Sequence, residues 1–444
     1  MEKDISYTNK RIWDIAWPMV LGGAGQMLIN ITDTVFLGRL NEVALGASAI
    51  GGLFLATFLM ISYGYSAGMQ IVIARKDGEG KLLEIGKVFW QSAYFKLGFS
   101  LILLLFFVPF APQFLTLFVS SKEVLAACTT FITLRLLGLP FSFAISLFRG
   151  YYAGIGKTRI ISIAIGSFAS LNLILNYLLV FGNWGFPRLE IAGSAIASVI
   201  SELVGALIFF TYSYFSAHSK TYGLDKRSGL NLRVLWEVLE LALPMMIQFF
   251  MSVGSWFVFF LMVENLGERA LAISNLTRNV YMVLMMPLIA FSNVTNTIVS
   301  NLVGQNKLNE VIPTAKKVVW MCLGITALLV FLNLIYPQGL MKLFTNISPV
   351  IDDTIPIIYI ISGSVFCFAL AHNILSIVSG LGKTLITLAI EITTLIFYFL
   401  YTWYASEVAH LSLGLIWCNE YIYFLVMLIL SVLYLRKYFK TATP

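Results

Sequence analysis

Asp33 and the polar side chains before it are the residues of this sequence best placed to do chemistry. Gln26, Asn30 and Asp33 follow the spacing of one helix face within a long apolar stretch. A charged side chain in such a stretch costs about 2.5–3.5 kcal/mol on bilayer insertion scales, so this face must be turned away from lipid. A carboxylate enclosed by amides and hydroxyls can hold either a proton or a sodium ion. The sequence therefore predicts that Asp33 binds one of these two ions.

Two later apolar stretches carry polar side chains that would complete this site. Asn172 and Asn176 are one helical turn apart, and Ser198 and Glu202 follow the same interval. We predict that these four residues surround Asp33 in an ion-coupling site. If sodium is used, its ligands would be Asp33, Asn172, Asn176 and Ser198. The alternative is a network of hydrogen bonds that only fixes the packing of the helices.

Arg278 is the corresponding charged residue of the second half of the chain. Asn275 and Asn279 flank it, and Met282 follows one turn later. With Gln26 and Asn30 of the first half, these four residues are predicted to line a substrate cavity in which methionine supplies an adaptable apolar wall. Arg278 would either sense the charge of a substrate or of Asp33 there, or extend to the membrane surface.

Other ionisable residues also lie within apolar stretches. Lys96 and Arg135 are expected to extend toward the membrane interfaces. Glu391 and Glu420 are candidate acidic partners in the second half.

The composition indicates an integral membrane protein. Apolar residues make up 59% of the chain and charged residues 11%, against roughly 45–50% and about 25% in a typical soluble domain. Stretches of about 20 apolar residues, long enough to span a bilayer as helices, recur along the whole length. We predict an all-α integral membrane fold with twelve transmembrane helices, at 12–38, 46–74, 90–118, 124–149, 159–182, 191–217, 234–263, 270–303, 317–338, 353–380, 384–405 and 412–435.

The second half of the chain repeats the first half 226 positions later. Pro18 and Met19 recur as Pro244 and Met245, and both prolines fall early in the first helix of their half, where a proline permits bending. The repeat divides the chain into an N-terminal six-helix bundle (1–217), a linker (218–233) and a C-terminal six-helix bundle (234–444). Six helices return the chain to the same side, so the halves have parallel orientation.

The distribution of charge predicts the orientation in the membrane. The net charge is +7, and most of the lysines and arginines fall in loops on one side, in clusters such as Arg75-Lys76, Lys226-Arg227 and Arg436-Lys437. The positive-inside rule places both termini and the linker in the cytoplasm and the protein in the cytoplasmic (inner) membrane. The basic residues then face anionic lipid, and nucleic acid is not an expected partner.

A triplet Gly-Lys-Thr ends a helix in each half, at 156–158 and 382–384, but does not indicate a nucleotide site. A phosphate-binding loop needs a glycine five positions before its second one, and Tyr151 and Ile377 stand there. No nucleophile, base and orienting group cluster along the chain. We therefore expect a protein that is not an enzyme, has no cofactor and takes its energy from an ion gradient.

The chain carries Pro18 with Asp33-Thr-Val-Phe-Leu-Gly38-Arg39, Ala44-Leu45-Gly46-Ala47-Ser48, Asn172-x-x-x-Asn176-Tyr-Leu-Leu-Val-Phe-Gly, Gly193-x-Ala195-Ile196-Ala197-Ser198 and the two Gly-Lys-Thr ends. Taken together, these motifs resemble the multidrug and toxic compound extrusion (MATE) transporters, and their DinF-like branch more than their NorM-like branch. The resemblance covers essentially the whole chain and implies two six-helix bundles arranged as a V around a central cavity. It implies export of organic cationic or amphipathic compounds by alternating access, in exchange for protons or sodium ions. It also implies that Asp33 takes up the coupling ion and that Pro18 bends on protonation.

The chain departs from the family pattern at three positions. Asn176 stands where many relatives carry a second aspartate, so Glu202 becomes a candidate for the missing acid. Ser252 and Phe368 stand where the NorM-like branch carries acids, so the resemblance puts coupling in the first half.

A flippase for lipid-linked oligosaccharides or peptidoglycan precursors, from the same superfamily, is the alternative function. Such flippases usually line their cavity with several cations, and Arg278 is the one strong candidate in this sequence. The expected partners are small organic substrates and membrane lipids, and the expected state is a monomer.

Overall fold

The computed structural model describes residues 7–116, 119, 121–342, 344–345 and 347–442, and the regular elements within these ranges are helical. A 3-10 turn (Asn183–Gly185) and a π-helical segment (Tyr404–Val408) accompany the helices. The two chain ends, which the sequence places in the cytoplasm, lie outside the described residues. The helices are α1 (Asn9–Leu40), α2 (Glu42–Gly78), α3 (Leu82–Leu115), α4 (Lys122–Leu137), α5 (Leu139–Gly154), α6 (Arg159–Phe181), α7 (Glu190–Phe215), α8 (His218–Thr221), α9 (Leu232–Glu264), α10 (Glu268–Gly304), α11 (Leu308–Ile335), α12 (Pro337–Met341), α13 (Ser348–Gly380), α14 (Thr384–Trp403), α15 (Leu413–Ile416) and α16 (Asn419–Ala442).

The predicted membrane helices are confirmed. Within the described ranges, 11 helical segments are long and apolar enough to cross a membrane, or 12 when α4 and α5, which are bent by 48° relative to each other, are counted together as one span. The predicted span at 124–149 corresponds to the pair α4 and α5, between which the chain bends at Gly138. Glycine weakens a helix and Pro140 removes a backbone donor just after it, so the sequence itself favours a break there.

Contacts divide the chain into two compact units. The first runs from Trp17 to Met246, and the second contains the chain up to Ala16 and from Ile247 onward. Both boundaries fall inside long helices, close to Pro18 and Pro244. The predicted division at the linker 218–233 differs from these contact units and remains a proposal.

The core of the first unit depends on close helix contacts. A Cβ atom on Gly68 of α2 would lie 2.3 Å from Cα of Ala242 of α9, and one on Gly64 would lie 2.5 Å from Cα of Met246. Glycine at these two positions therefore lets the two helices touch backbone to backbone, as small residues do in membrane proteins.

The segment between α8 and α9 is bound to the first unit. Gln91 of α3, which is fully buried, donates from Nε2 to Oγ of Ser228 (3.0 Å) and to the carbonyl of Gly229 (2.8 Å). Its Oε1 accepts from the backbone N–H of Asn231 at 2.8 Å. The linker 218–233 is therefore an ordered part of this unit rather than a free tether.

In the second unit, α13 packs against α10, α11 and α16. The polar face of α13 is closed by hydrogen bonds such as Thr295 Oγ1 of α10 to Oδ1 of Asn373, at 2.7 Å.

Candidate functional site

Three helices of the first unit bring the predicted polar residues together around Asp33. Nδ2 of Asn176 donates to Oδ1 of Asp33 at 2.8 Å, and Oγ of Ser198 donates to Oδ2 at 3.3 Å. Asn172 donates to Oγ of Ser198 at 3.1 Å. The two asparagines and the serine are buried, while Asp33 itself is partly exposed. Helical spacing on α1, α6 and α7 thus produces one hydrogen-bonded group, which we call the Asp33 cluster: Asp33, Asn172, Asn176 and Ser198.

The Asn176 amide makes several of the hydrogen bonds within the Asp33 cluster. Nδ2 of Asn176 faces three acceptors: Oδ1 of Asp33, and both the carbonyl and Oδ1 of Asn172, at 3.0 and 3.1 Å. The side-chain oxygen of Asn176 is buried and has no partner among the described residues. Both Asp33 oxygens therefore face N–H or O–H donors. A carboxyl group in this setting can gain and lose a proton, and whether the coupling ion is a proton or sodium remains a prediction.

Glu202 lies outside the Asp33 cluster and is paired with Arg135. Nη1 of Arg135 on α4 is 3.0 Å from Oε1 of Glu202 on α7, and the two side chains are 15% and 12% exposed. The expectation that Arg135 extends to the membrane interface was wrong, because this ion pair holds it inside the unit. Gly138 makes room for the pair, since a Cβ atom there would lie 2.5 Å from Oε2 of Glu202.

Lys96 was also expected at an interface, and that expectation was wrong. Its side chain is 2% exposed, and its ammonium group donates to Oγ of Ser66 and of Ser146, the latter at 2.6 Å. The ring of Phe143 lies 5.9 Å away. Ser66 and Ser146 give their own protons to backbone carbonyls, so their oxygens are free to accept from Lys96. Lys96 thereby joins α2, α3 and α5.

The remaining predicted residues of the first unit do not join the Asp33 cluster. Gln26 is half-buried and Asn30 is exposed, two turns and one turn before Asp33 on α1. Pro18 and Pro244 are buried inside α1 and α9. Neither helix is interrupted at its proline, so the bending assigned to these positions remains a prediction.

In the second unit, the predicted cavity residues lie along α10. The guanidinium of Arg278 is 4.8 Å from the ring centre of Phe260, a cation–π contact. Its Nε atom is buried and has no hydrogen-bond partner in the described ranges. Asn275 donates to the carbonyl of Leu271 on its own helix, Asn279 is half-buried and Met282 is 47% exposed. Whether these residues line a substrate cavity remains a prediction.

The second unit also contains a buried acid whose partners the sequence reasoning missed. Glu391 on α14 contacts Gln248 and Ser252 of α9 and Tyr423 of α16. Gln248 and Ser252 are one helical turn apart, the same signal that identified the polar face of α1. That spacing could have found them. Among the described residues, no group of three or more His, Cys, Asp or Glu side chains is arranged to hold a metal ion.

Comparison with known proteins identifies the family. The MatE family model matches residues 18–178 and again 244–404. The probable multidrug resistance protein NorM of Thermotoga maritima is 23% identical over 389 residues, covering 86% of this chain and 82% of that protein. The protein of the same name from Synechocystis sp. is 24% identical over 339 residues, covering 75% and 72%.

Solved structures share the fold at low sequence identity. An outward-facing multidrug resistance MATE family transporter of the MOP superfamily has a TM-score of 0.89 at 18% identity, covering 98% of this chain and 97% of that chain. A MATE transporter of Vibrio cholerae has a TM-score of 0.86 at 18% identity, with the same coverage. Since the family model matches both repeats and most of the chain, the protein belongs to the MatE family of multidrug efflux transporters.

Proposed function

We propose that the protein is a secondary antiporter that exports organic cationic or amphipathic compounds and takes up protons at Asp33. The single observation that carries the proposal is the geometry of the Asp33 cluster. A carboxyl group on a membrane helix faces an amide N–H and a hydroxyl from two other helices. Intramembrane acids held in this way commonly mark a proton pathway.

Protonation would change the hydrogen bonds between these helices. An ionised Asp33 accepts from Asn176 and Ser198 on both oxygens. A neutral Asp33 carries a proton on one oxygen and loses that acceptor, while Asn176 keeps its two acceptors on Asn172. The contact between α1 and its neighbours therefore weakens when the proton binds. Pro18, which lacks a backbone N–H, gives α1 a place to bend in response.

The membrane orientation of the protein, its oligomeric state, its division into halves and its branch of the family are also proposals. We place it in the cytoplasmic membrane with both termini in the cytoplasm, as the basic loops indicate. We propose that it acts as a monomer, that its halves divide at the linker 218–233, and that it belongs to the DinF-like branch.

Transport in vesicles tests the proposed function. Purified protein in lipid vesicles is given a fluorescent organic cation and either a proton gradient or a sodium gradient. The proton gradient should drive transport, the sodium gradient should not, and Asp33→Asn should abolish transport. Asp225→Asn, the same change at an exposed position of the linker, is the control and should behave as the parent. Export by Asp33→Asn at the parent rate would refute the assignment, and transport driven by sodium alone would refute the choice of ion.

A further inference from the structure

Glu391 is a fully buried carboxyl group that the Asp33 cluster does not use. Oε1 of Glu391 lies 2.9 Å from Oγ of Ser252 and accepts from the hydroxyl of Tyr423, and Oε2 is 3.3 Å from Nε2 of Gln248. Helices α9, α14 and α16 therefore meet at this group. In the described part of the chain, no lysine, arginine or histidine forms an ion pair with it. A buried carboxylate without a cation is strongly unfavourable, so its charge must be removed in another way.

The hydrogen-bond donors around Glu391 show how the charge is removed. The hydroxyl of Ser252 has one proton but lies near two acceptors, Oε1 of Glu391 and the carbonyl of Gln248 at 3.0 Å. If Glu391 is ionised, one of these contacts has no proton. If Glu391 is neutral, its O–H donates to Ser252, and Ser252 donates to the carbonyl of Gln248. Tyr423 and Nε2 of Gln248 then donate to the remaining lone pairs of Glu391, so each of these four contacts has one proton.

Tyr423 gives this buried group a connection to its surroundings. Glu391 is 0% exposed, whereas Tyr423 and Ser252 are each partly exposed. Other ionisable groups of the adjacent helices lie near this region. They are Tyr398 of α14, with its ring centre 5.7 Å from that of Tyr423, Glu420 of α16, which accepts from Tyr281 of α10 at 2.9 Å, and His372 of α13, with its ring centre 4.3 Å from that of Phe368.

We propose that Glu391 is a second proton-carrying site, in the second unit, and that Tyr423 passes the proton to it. The carboxylate takes the phenolic proton of Tyr423 while the phenol oxygen takes a proton from a hydronium ion, so that ion becomes water, Tyr423 ends unchanged and Glu391 ends neutral. The role of this proton in transport rests on the proton-driven export proposed above. The presence of a proton on Glu391 does not depend on that proposed function.

Infrared spectroscopy tests the protonation directly. A neutral carboxylic acid has a carbonyl-stretch band that a carboxylate lacks. In an Asp33→Asn background, to which Asp33 cannot contribute, this band should weaken on adding Glu391→Gln. Adding Glu240→Gln, the same change at an exposed position of α9, should leave it unchanged. An identical band with and without Glu391 would overturn the inference. Should Glu391→Gln not fold, Tyr423→Phe removes one hydrogen bond to the same group and must shift the band, and an unshifted band overturns the inference equally.

Counting protons per transported substrate tests the role in coupling. In vesicles, Glu391→Gln should still export but move one proton fewer per substrate than the parent, and Glu240→Gln should match the parent. An unchanged proton count in Glu391→Gln would refute the coupling role of Glu391. Unchanged export by Asp33→Asn would instead refute the proposed function, so the two failures are distinguishable.

Discussion

The ion pair between Arg135 and Glu202 predicts a specific pattern of stability in a double-mutant cycle. The two charged groups are 3.0 Å apart, and their side chains are only 15% and 12% exposed. Glu202→Gln keeps the shape of the side chain and one acceptor but removes the negative charge, and Arg135→Gln removes the positive charge. Each single change leaves the other residue as a largely buried charge without its ion-pair partner. The double change replaces both charges with amides that can bond to each other.

The distance between the two groups sets the size of the effect. Two unit charges 3.0 Å apart attract by about 5.5 kcal/mol at an effective dielectric constant near 20. Removing one member of a buried pair typically costs about 3–5 kcal/mol. Because both side chains keep some exposure, we expect about 2–4 kcal/mol for each single change and less than about 1 kcal/mol for the double change. At about 2–4 °C per kcal/mol for a unit of this size, each single change should lower the melting midpoint by roughly 5–15 °C.

Thermal unfolding in detergent measures the cycle. Cys128 is buried on α4, the helix that carries Arg135, so its reaction with a thiol-specific dye reports unfolding of this unit once the other cysteines are replaced. A double variant with a melting midpoint as low as that of the less stable single variant would refute the pairing of Arg135 with Glu202. If Glu202→Gln instead keeps the parent midpoint but loses proton-driven export, Glu202 is the coupling acid that the sequence suggested.

Three further changes test the contacts around this frame. Gly138→Ala places a Cβ atom 2.5 Å from Oε2 of Glu202. It should therefore weaken the ion pair between Arg135 and Glu202 and lower the melting midpoint measured with the thiol-specific dye. An unchanged midpoint would contradict the close contact between Gly138 and Glu202. Gly68→Ala meets the backbone of α9 and should destabilise by about 1–3 kcal/mol, whereas Gly98→Ala, with nothing within 4 Å, should leave the midpoint equal or slightly higher. Gln91→Ala removes three hydrogen bonds to the linker, each worth about 1 kcal/mol. Trypsin should therefore cut the linker of this variant at least about tenfold faster than that of the parent. Equal cleavage rates would show that Gln91 does not hold the linker in place.

The membrane helices could be predicted from the sequence because a bilayer leaves few alternatives. A span needs about 20 apolar residues, and all its backbone groups must be paired within the helix. The predicted spans at 159–182 and 384–405 accordingly match Arg159–Phe181 and Thr384–Trp403 closely. The bend at Gly138 was missed because apolar length alone does not distinguish one straight helix from two shorter ones.

The candidate site was predicted only in part. Helical spacing shows which residues share one face of a helix, but it does not show which residues of other helices that face contacts. The spacing of Asn172 and Asn176 indicated a polar face that must be paired inside the protein, and the structure pairs it with Asp33 and Ser198. The same spacing put Glu202 on that face of α7. Its partner Arg135 comes from another helix, and nothing in the sequence around Arg135 identifies that contact.

Neither of the two proposed acids has an acidic counterpart at the equivalent position of the other half of the chain. The two family matches are offset by 226 positions, so Asp33 corresponds to Phe259, and Glu391 corresponds to Ile165. Both counterparts are packing residues. Phe259 is fully buried with its ring centre 5.1 Å from that of Trp417, and Ile165 fills the space beside Gly25.

Each half thus keeps the shared helix pattern but has its acid on a different helix, the first of its half for Asp33 and the fifth for Glu391. Replacing Phe259 by aspartate would therefore put an unpaired charge among aromatic rings rather than restore a second Asp33 site. For the same reason, neither acid is placed to take over the contacts of the other, and the loss of each should have its own effect on transport.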